Sequence, residues 1–231
     1  MRILDEEFLE HPTHGVLQMQ DFLFSFGFLI NPKRIRRLLR KMGIMALYPK
    51  RNLSKLGHAK YKRPYLLKGL KIDKPNHVWA IDITYIALEK GFMYLSAIID
   101  VYSRYVVGWG LSNSLDAENS LSVLKQAIEH HGKPQIINSD QGSQFTCALW
   151  TEYVESEKIR ISMDGKGRAT DNIFIERFWR TVKQDYVYIC VPSNGTELYK
   201  GLTETIDYYN NKKTHQGIDR TTPVLRYKPV A

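Results

Sequence analysis

Hydrophobic residues in the first fifty positions recur at helical spacing. An apolar-rich stretch covers Val16–Phe26 and stops at Gly27, a favourable residue just beyond the end of a helix. Asn31 and Pro32 then supply an N-cap residue and a proline at the first helical position. Two short helices joined by a turn are therefore predicted. The apolar stripe of the second follows the spacing i, i+3, i+4, i+7 and consists of Ile35, Leu38, Leu39 and Met42.

The second predicted helix carries basic residues on the faces that its apolar stripe leaves free. A strongly basic helix after a short turn is typical of a helix-turn-helix that binds DNA, so these residues are predicted DNA contacts. The alternative is an ordinary helical hairpin with a solvated basic face. The predicted contacts are Lys33, Arg34, Arg36, Arg37, Arg40 and Lys41.

From Val78 onwards the pattern changes to strands. Apolar, β-branched or aromatic runs cover Val78–Ile86, Phe92–Asp100 and Tyr105–Leu111, with breaks short enough for hairpins. This order of elements predicts an α/β fold, a ribonuclease-H-like mixed five-stranded sheet flanked by helices and preceded by the small helical segment. Helices are further predicted over residues 116–131, 149–158 and 172–188, and strands over 135–139 and 159–162.

The patterns divide the chain into three parts. Residues 1–49 are the predicted helix-turn-helix-like DNA-binding segment. Residues 50–75, basic and interrupted by glycine and proline, are a predicted linker that lies along phosphates. Residues 76–231 are the predicted catalytic domain, with its core at about 76–190 and a helical C-terminal extension over 191–231.

Charge and composition indicate a partner and exclude several classes of protein. The 231-residue chain has a net charge of +9, and residues 1–75 carry 16 Lys/Arg against 6 Asp/Glu, whereas 76–231 carry 17 against 18. This asymmetry indicates a polyanion as partner. Cys147 and Cys190 show no paired spacing, which excludes a disulfide framework and a cysteine-rich zinc site. No apolar run is long enough to span a bilayer, so a cytoplasmic protein is expected.

Three acidic residues stand at positions that point to chemistry. Asp82 interrupts an apolar central strand, where a carboxylate is costly unless it is paired. Asp140 follows the strand at 135–139, and Glu176 lies on the helix predicted after it. Together they would form an all-oxygen site for two Mg²⁺ or Mn²⁺ ions, which suits in-line displacement at phosphorus. Taken singly, each acid has a structural alternative: a satisfied core carboxylate, a turn residue and a surface helical ion pair, respectively.

Further side chains on the Glu176 helix are candidates for DNA contact. Arg180 and Lys183 follow Glu176 at i+4 and i+7 and share its face, so Lys183 is placed to hold a phosphate. Asn172 is a candidate to orient Glu176 or a scissile strand. The nearby tryptophan, Trp179, is expected in the core rather than stacked on DNA.

These motifs resemble those of a known family. Asp140 and Glu176 are separated by 35 residues, and Asp82 lies on the first strand of the core. The chain resembles the DDE transposases and retroviral integrases. More narrowly, it is similar to the second-frame protein of bacterial insertion sequences with a retroviral-integrase-like catalytic domain. The matching stretches include Trp79–Tyr85, Ile99–Trp109, Ser139–Phe145, Asp171–Asn172 and Tyr209–Gly217.

The resemblance implies Mg²⁺-dependent nicking at element ends, followed by attack of the freed 3′-hydroxyl on a target strand. It implies Asp82, Asp140 and Glu176 as metal ligands and Lys183 as the basic residue that accompanies the glutamate. It also implies double-stranded DNA as substrate, a homo-oligomer on DNA, an upstream-frame fusion partner and a bacterial, nucleoid-associated location. Two other classes of function stay open: a non-catalytic DNA-binding modulator of transposition, and a nuclease of the same fold that does not join strands.

Overall fold

The computed structural model describes residues 1–47, 61–165 and 172–228 of the chain. The chain folds into two compact units, Met1–Leu56 and Gly57–Ala231, and each is described by itself. Within the described ranges no helix is both long and apolar enough to cross a membrane.

The first unit contains three helices in its described part, α1 (Arg2–Glu10), α2 (Val16–Ser25) and α3 (Pro32–Lys41). The two predicted helices are present, and α1 is an addition that the sequence pattern did not indicate. The buried face of α1 includes Glu7 beside Leu4, and this acid weakens the apolar periodicity of a nine-residue helix. The buried side chains of this small core are Leu4, Met19, Leu23, Ile35 and Leu39.

Helix α3 begins and ends as its sequence predicts. The side chain of Asn31 accepts a hydrogen bond of 2.9 Å from the backbone N–H of Lys33. Gly43 follows the helix with a φ of +70°, a conformation that suits glycine. The six predicted DNA contacts of α3 are all exposed, as contact with a large partner requires.

The second unit is built on a five-stranded mixed sheet with the strand order β3-β2-β1-β4-β5. The first three strands are antiparallel, whereas β4 runs parallel to β1 and β5 runs parallel to β4. The predicted ribonuclease-H-like sheet is therefore confirmed, with strand ends within one residue of those expected. The strands are β1 (Val78–Ala87), β2 (Phe92–Asp100), β3 (Val106–Ser112), β4 (Ile136–Ser139) and β5 (Arg160–Met163).

Helices cover both faces of the sheet. The helices of this unit are α4 (Ala117–His131), α5 (Ala148–Ser156), α6 (Ile173–Val182), α7 (Gly195–Asn211) and α8 (Pro223–Tyr227), with a short 3₁₀ turn at Gln216–Ile218. One face of the sheet, which includes Val78 and Ala80, packs against α6 and α7, and the other, which includes Trp79 and Ile81, packs against α4 and α5. The helix predicted over residues 172–188 is α-helical up to Val182 and then continues as a π-helical turn, Lys183–Val187.

Part of the predicted basic linker packs against the sheet. Residues 48–60 lie outside the described ranges. In the remainder, Leu66, Leu67, Leu70 and Ile72 are partly buried against the core that also holds α6 and α7. Residues 61–75 thus belong to the second unit and pack against its core, while the predicted division of the chain into three parts stays a prediction.

Candidate active site

The parallel pairing of β1 with β4 brings the first two acids side by side. Ala80 of β1 pairs with Asn138 of β4, and two residues further towards the C-terminus lie Asp82 and Asp140, respectively. Even-numbered residues of β1 face α6, because Val78 and Ala80 belong to the core on that side. Asp82 therefore projects from the sheet beneath α6, beside the carboxyl end of β4.

A tight turn fixes the Asp140 side chain. Its Oδ1 accepts a hydrogen bond of 2.8 Å from the backbone N–H of Gly142. A Cβ atom at Gly142 would lie 2.8 Å from the same Oδ1, which is shorter than the approach that a methyl group tolerates. A larger residue at position 142 would therefore displace the Asp140 carboxylate, which itself remains exposed at the edge of the site.

Helix α6 supplies the third acid. Its apolar stripe, which includes Ile175, Phe178 and Val182, is buried in the core, and this orientation leaves Glu176 exposed. The negative charges of Asp140 and of Glu176 both raise the pKa of Asp82, so the three carboxylates act on one another. The fold thus brings together the three acids that the sequence separates by up to 94 positions.

Asp82 is the acid with the most perturbed surroundings. Burial, which disfavours the charged form, is the largest cause that raises its pKa to about 6, and the charges of Asp140 and Glu176 add to it. The indole Nε1–H of Trp179 opposes this effect by donating a hydrogen bond of 2.8 Å to Asp82 Oδ2. A carboxylate that is costly to charge beside two other acids is a place where a cation stabilises the structure.

The donor set fits a hard divalent cation, because all three side chains offer carboxylate oxygens. In the described ranges the three carboxylates do not all come within 4.8 Å of one another, so the arrangement is more open than a closed ligand cage. The described group that does meet this spacing is Glu7, Glu10 and His11 of the first unit, where two members are exposed.

Lys183 lies at the side of the acids, as its spacing from Glu176 predicts. Its Nζ donates a hydrogen bond of 2.9 Å to Thr84 Oγ1 and lies 5.4 Å from the centre of the Tyr85 ring. Burial lowers the pKa of Lys183, and the nearby charge of Asp82 counteracts this effect. The lysine is therefore an anchored cation close to Asp82.

The other predicted residues of α6 lie at two different places. Arg180 is exposed and shares a surface cavity of about 380 Å³ with Glu176. Asn172 is the N-cap residue of α6, is only 6% exposed, and makes no side-chain capping bond within the described part of the chain. Its Oδ1 has no hydrogen-bond partner among the described residues, and the orientation of Glu176 or of a scissile strand by Asn172 stays a prediction.

Two residues of the site were missed by the sequence reasoning. Trp179 was assigned to packing alone, although a buried indole N–H normally finds an acceptor and Asp82 was the acid predicted inside the sheet. Thr84 has the spacing i+2 from Asp82, which places both on the same face of β1. The alternation along β1 could therefore have indicated Thr84. The sequence gives no signal for the distance that the Lys183 side chain spans to reach it.

Family models and a known relative match most of this chain. Two family models described as "Integrase core domain" match residues 72–169 and residues 157–223. The transposase for insertion sequence element IS904 from Lactococcus lactis subsp. lactis (strain IL1403) is 32% identical over 224 residues, which are 94% of this chain and 88% of that protein.

Two solved structures share the fold. The HTLV-2 integrase catalytic core domain in complex with magnesium is 22% identical, with a TM-score of 0.55, and the match covers 67% of this chain and 97% of that one. The simian T-cell lymphotropic virus intasome in complex with PP2A regulatory subunit B56 gamma is 16% identical, with a TM-score of 0.61, over 98% of this chain and 74% of that one.

The motifs, the sheet order and the matched relatives lead to the same assignment. The chain belongs to the insertion-sequence transposases with an integrase core domain, which are enzymes of the polynucleotidyl-transferase type.

Proposed function

We propose that this transposase cleaves DNA and joins the freed 3′ end to a target strand at Asp82, Asp140 and Glu176. The observation that carries the proposal is the parallel register of β1 with β4, which sets Asp82 beside Asp140, with Glu176 of α6 close enough for its charge to act on Asp82. Such a cluster destabilises the fold, because like charges surround an acid that is itself largely buried. The cluster becomes favourable when it binds cations.

The same three carboxylates are the proposed ligands of Mg²⁺ or Mn²⁺, two ions per site. When bound, two such metal ions lower the pKa of a water or hydroxyl nucleophile and neutralise charge on the leaving oxygen. The magnesium named for the HTLV-2 integrase core domain supports this choice of metal.

The protein's own side chains prepare the site for a phosphate. Trp179 holds one oxygen of Asp82 in place. Lys183, held by Thr84, offers a cation to a phosphate oxygen beside the acids. Arg180, at the surface cavity beside Glu176, is placed to contact the neighbouring DNA backbone. These groups orient DNA, while the three acids provide the reactive centre.

DNA is bound by more than the active site in this proposal. The exposed basic face of α3 contacts double-stranded DNA, which comprises element ends and target. A homo-oligomer on DNA is proposed because both ends of an element must be processed, and the intasome among the solved structures supports it. We also propose that the product of an upstream reading frame is fused to this chain. The protein is further proposed to act at the nucleoid in the bacterial cytoplasm.

One experiment separates the candidate functions. The purified chain is incubated with labelled DNA that carries the terminal repeats flanking its reading frame, with and without Mg²⁺, and the products are resolved on denaturing gels. Joined product is expected. Cleavage without joining would identify a nuclease, and a mobility shift alone would identify a DNA-binding modulator.

Charge-neutral variants test the assignment of the acids. Asp140→Asn is expected to reduce cleavage by more than about 10²-fold while DNA binding is retained, since the metal ligand is lost and the fold is not. Asp116→Asn is the matched control, because Asp116 precedes α4 and makes no side-chain capping bond there with a described residue. Unchanged cleavage by Asp140→Asn would refute the proposed site.

A further inference from the structure

Asp140 lies just beyond the end of its strand, where the pairing with β1 has stopped. β4 ends at Ser139, and its parallel pairing with β1 extends to Asn138. Asp82, in contrast, lies within β1 and pairs with Ala97 of β2. The Asp140 side chain is exposed, so packing does not fix it either. Its position therefore depends on contacts made by the residues on each side of it.

Those contacts converge on Asp164, which follows the end of β5 as Asp140 follows the end of β4. The backbone N–H of Asp164 donates a hydrogen bond of 2.9 Å to the carbonyl oxygen of Ser139. Asn138 Nδ2 donates a bond of 2.8 Å to Asp164 Oδ1. Beyond Asp140, Gln141 Nε2 donates a bond of 2.8 Å to the carbonyl oxygen of Asp164. One residue at the neighbouring strand end thus holds the chain both before and after Asp140.

We call Asn138, Gln141 and Asp164 the Asp164 clamp. Asn138 and Asp164 are only 1% and 8% exposed, so the bond between their side chains is shielded from water. A hydrogen bond to a carboxylate is shorter and stronger than one between neutral groups, and burial strengthens it further. A buried polar pair is, however, often replaceable by apolar side chains of the same shape without loss of stability. What the polar pair adds is a defined geometry at this strand end.

We propose that Asp164 is a positioning residue for Asp140. Its bonds fix the backbone on both sides of Asp140, and the N–H of Gly142 then holds Asp140 Oδ1 at 2.8 Å. Together these bonds set the direction in which Asp140 presents its carboxylate beside Asp82. Asp164 acts through the chain and does not itself bind the metal. This inference rests on the proposed function, since it concerns the geometry of the proposed cation site.

The affinity for Mn²⁺ tests the inference without any cleavage. Mn²⁺ is titrated into the full chain in the absence of DNA, and electron paramagnetic resonance of the free ion measures how much is bound. The part of the binding that Asp140→Asn abolishes is assigned to the acids. Asp164→Ala is expected to raise the dissociation constant of that part by about tenfold, as loss of a side chain that orients a metal ligand does. The Mg²⁺ concentration for half-maximal cleavage should rise in parallel.

Asp164→Asn distinguishes positioning from charge. The carboxamide keeps an oxygen that can accept the bond from Asn138, so most of the affinity for Mn²⁺ should be retained. If the charge of Asp164 acted on the cation directly, the asparagine and alanine variants would weaken binding equally.

A double variant tests whether Asn138 and Asp164 act as a pair. Asn138→Ala and Asp164→Ala break the same hydrogen bond. The two changes combined should therefore weaken Mn²⁺ binding about tenfold, as each does alone, rather than about a hundredfold as independent sites would. A hundredfold loss would contradict a shared role.

Asn210→Ala is the matched control for a general loss of stability. Asn210 is 6% exposed and exchanges two hydrogen bonds with the backbone of Val106 in β3, which β2 separates from β1. Its variant should lower the unfolding temperature and keep the wild-type affinity for Mn²⁺. If Asp164→Ala does not fold, Gln141→Ala carries the test, because Gln141 is only partly buried and makes the other side-chain bond of the clamp. It should also weaken Mn²⁺ binding.

Three results would overturn the inference: wild-type Mn²⁺ affinity in the folded clamp variants, equal losses in Asp164→Asn and Asp164→Ala, or the same loss in Asn210→Ala. The proposed function is tested separately by Asp140→Asn. If that variant abolishes Mn²⁺ binding and cleavage while Asp164→Ala alters neither, the clamp assignment fails and the proposed function stands. If Asp140→Asn alters neither, the proposed function fails and the clamp assignment fails with it.

Discussion

At the scale of single residues, the hydrogen bond between Trp179 and Asp82 shows how one side chain serves both packing and chemistry. The indole is buried in the core beneath α6, and its N–H reaches the carboxylate at 2.8 Å. Loss of a side chain that holds a metal ligand in place typically lowers metal affinity or activity by about 10- to 100-fold. The bond therefore links the hydrophobic core to the proposed cation site.

Trp179→Phe is expected to preserve most of the packing and to raise the Mg²⁺ concentration needed for half-maximal cleavage by about tenfold or more. The physical reason is that Asp82 loses the donor that orients it and favours its charged form. Trp79→Phe is the matched control, because the Trp79 indole donates a comparable bond of 3.0 Å to Asn76 away from the acids. Both variants should lose about 1 kcal/mol of stability in denaturant unfolding, but an equal Mg²⁺ shift in both would contradict the role of Trp179.

A second residue-scale prediction concerns Gly142. Gly142→Ala places a methyl group against Asp140 Oδ1, at 2.8 Å before relaxation, so the carboxylate must move. Cleavage is expected to fall by about 10- to 100-fold, because displacement of a ligand by a fraction of an ångström is costly in a preorganised site. Ser143→Ala, which alters an exposed neighbour in the same loop, should leave the rate unchanged. A normal rate for Gly142→Ala would show that Asp140 tolerates the shift.

At the scale of elements, α3 separates the residues that form a helix from those proposed to bind DNA. Its buried stripe and its Asn31 cap concern stability, whereas its six basic side chains are exposed and contribute little to the core. The two roles can therefore be changed independently. Sequence periodicity is sufficient to distinguish them, because a short helix in a small core exposes every residue outside its stripe.

The double variant Arg34→Gln with Arg37→Gln is expected to weaken DNA binding and to reduce the steepness of its salt dependence. Each lost phosphate contact lowers the slope of log K against log salt by about 0.9. Asn31→Ala is the contrasting variant: it should cost about 1 kcal/mol of helix stability through the lost cap and leave the slope unchanged. Titrations by anisotropy at several salt concentrations measure both, and an unaltered slope in the double variant would place the DNA contacts elsewhere.

At the scale of the whole molecule, the described residues form two compact units, each with its own hydrophobic core. The charge is not divided in the same way, because Met1–Leu56 carry a net charge of +5 and Gly57–Ala231 a net charge of +4. From the separate cores and the exposed basic face of α3 we propose that affinity for DNA and catalytic chemistry are distributed between the two units.

Deletion of residues 1–47 is expected to leave the second unit folded, because its sheet and flanking helices contain both of its core clusters. DNA affinity at physiological salt should fall by at least about tenfold, since six exposed basic residues of α3 are removed. Circular dichroism and anisotropy measure the two quantities. An unfolded product would contradict the independence of the second unit, and an unchanged affinity would contradict the role of α3.

Most of the secondary structure was predictable from local patterns. The strand ends followed the β-branched and apolar runs, and the Asn31–Pro32 start of α3 followed from capping chemistry. Two features were not predictable. Helix α1 has an acid on its buried face, which breaks the pattern, and no residue pattern distinguishes the π-helical turn after Val182 from the α-helix before it.

The sequence by itself determined the class of the protein and led to the proposal of its three acids, because strand alternation, helix periodicity and motif spacing are all local or ordinal properties of the chain. Only the tertiary structure decided how those acids meet. The parallel register of β1 with β4 sets Asp82 beside Asp140, and the crossing of α6 adds Glu176, Trp179 and Lys183. The cavity of about 430 Å³ at the N-terminal end of α6 belongs to the same category. Its walls come from residues as distant as Ala80 and Arg226, and such long-range proximity arises from packing, which no local pattern encodes.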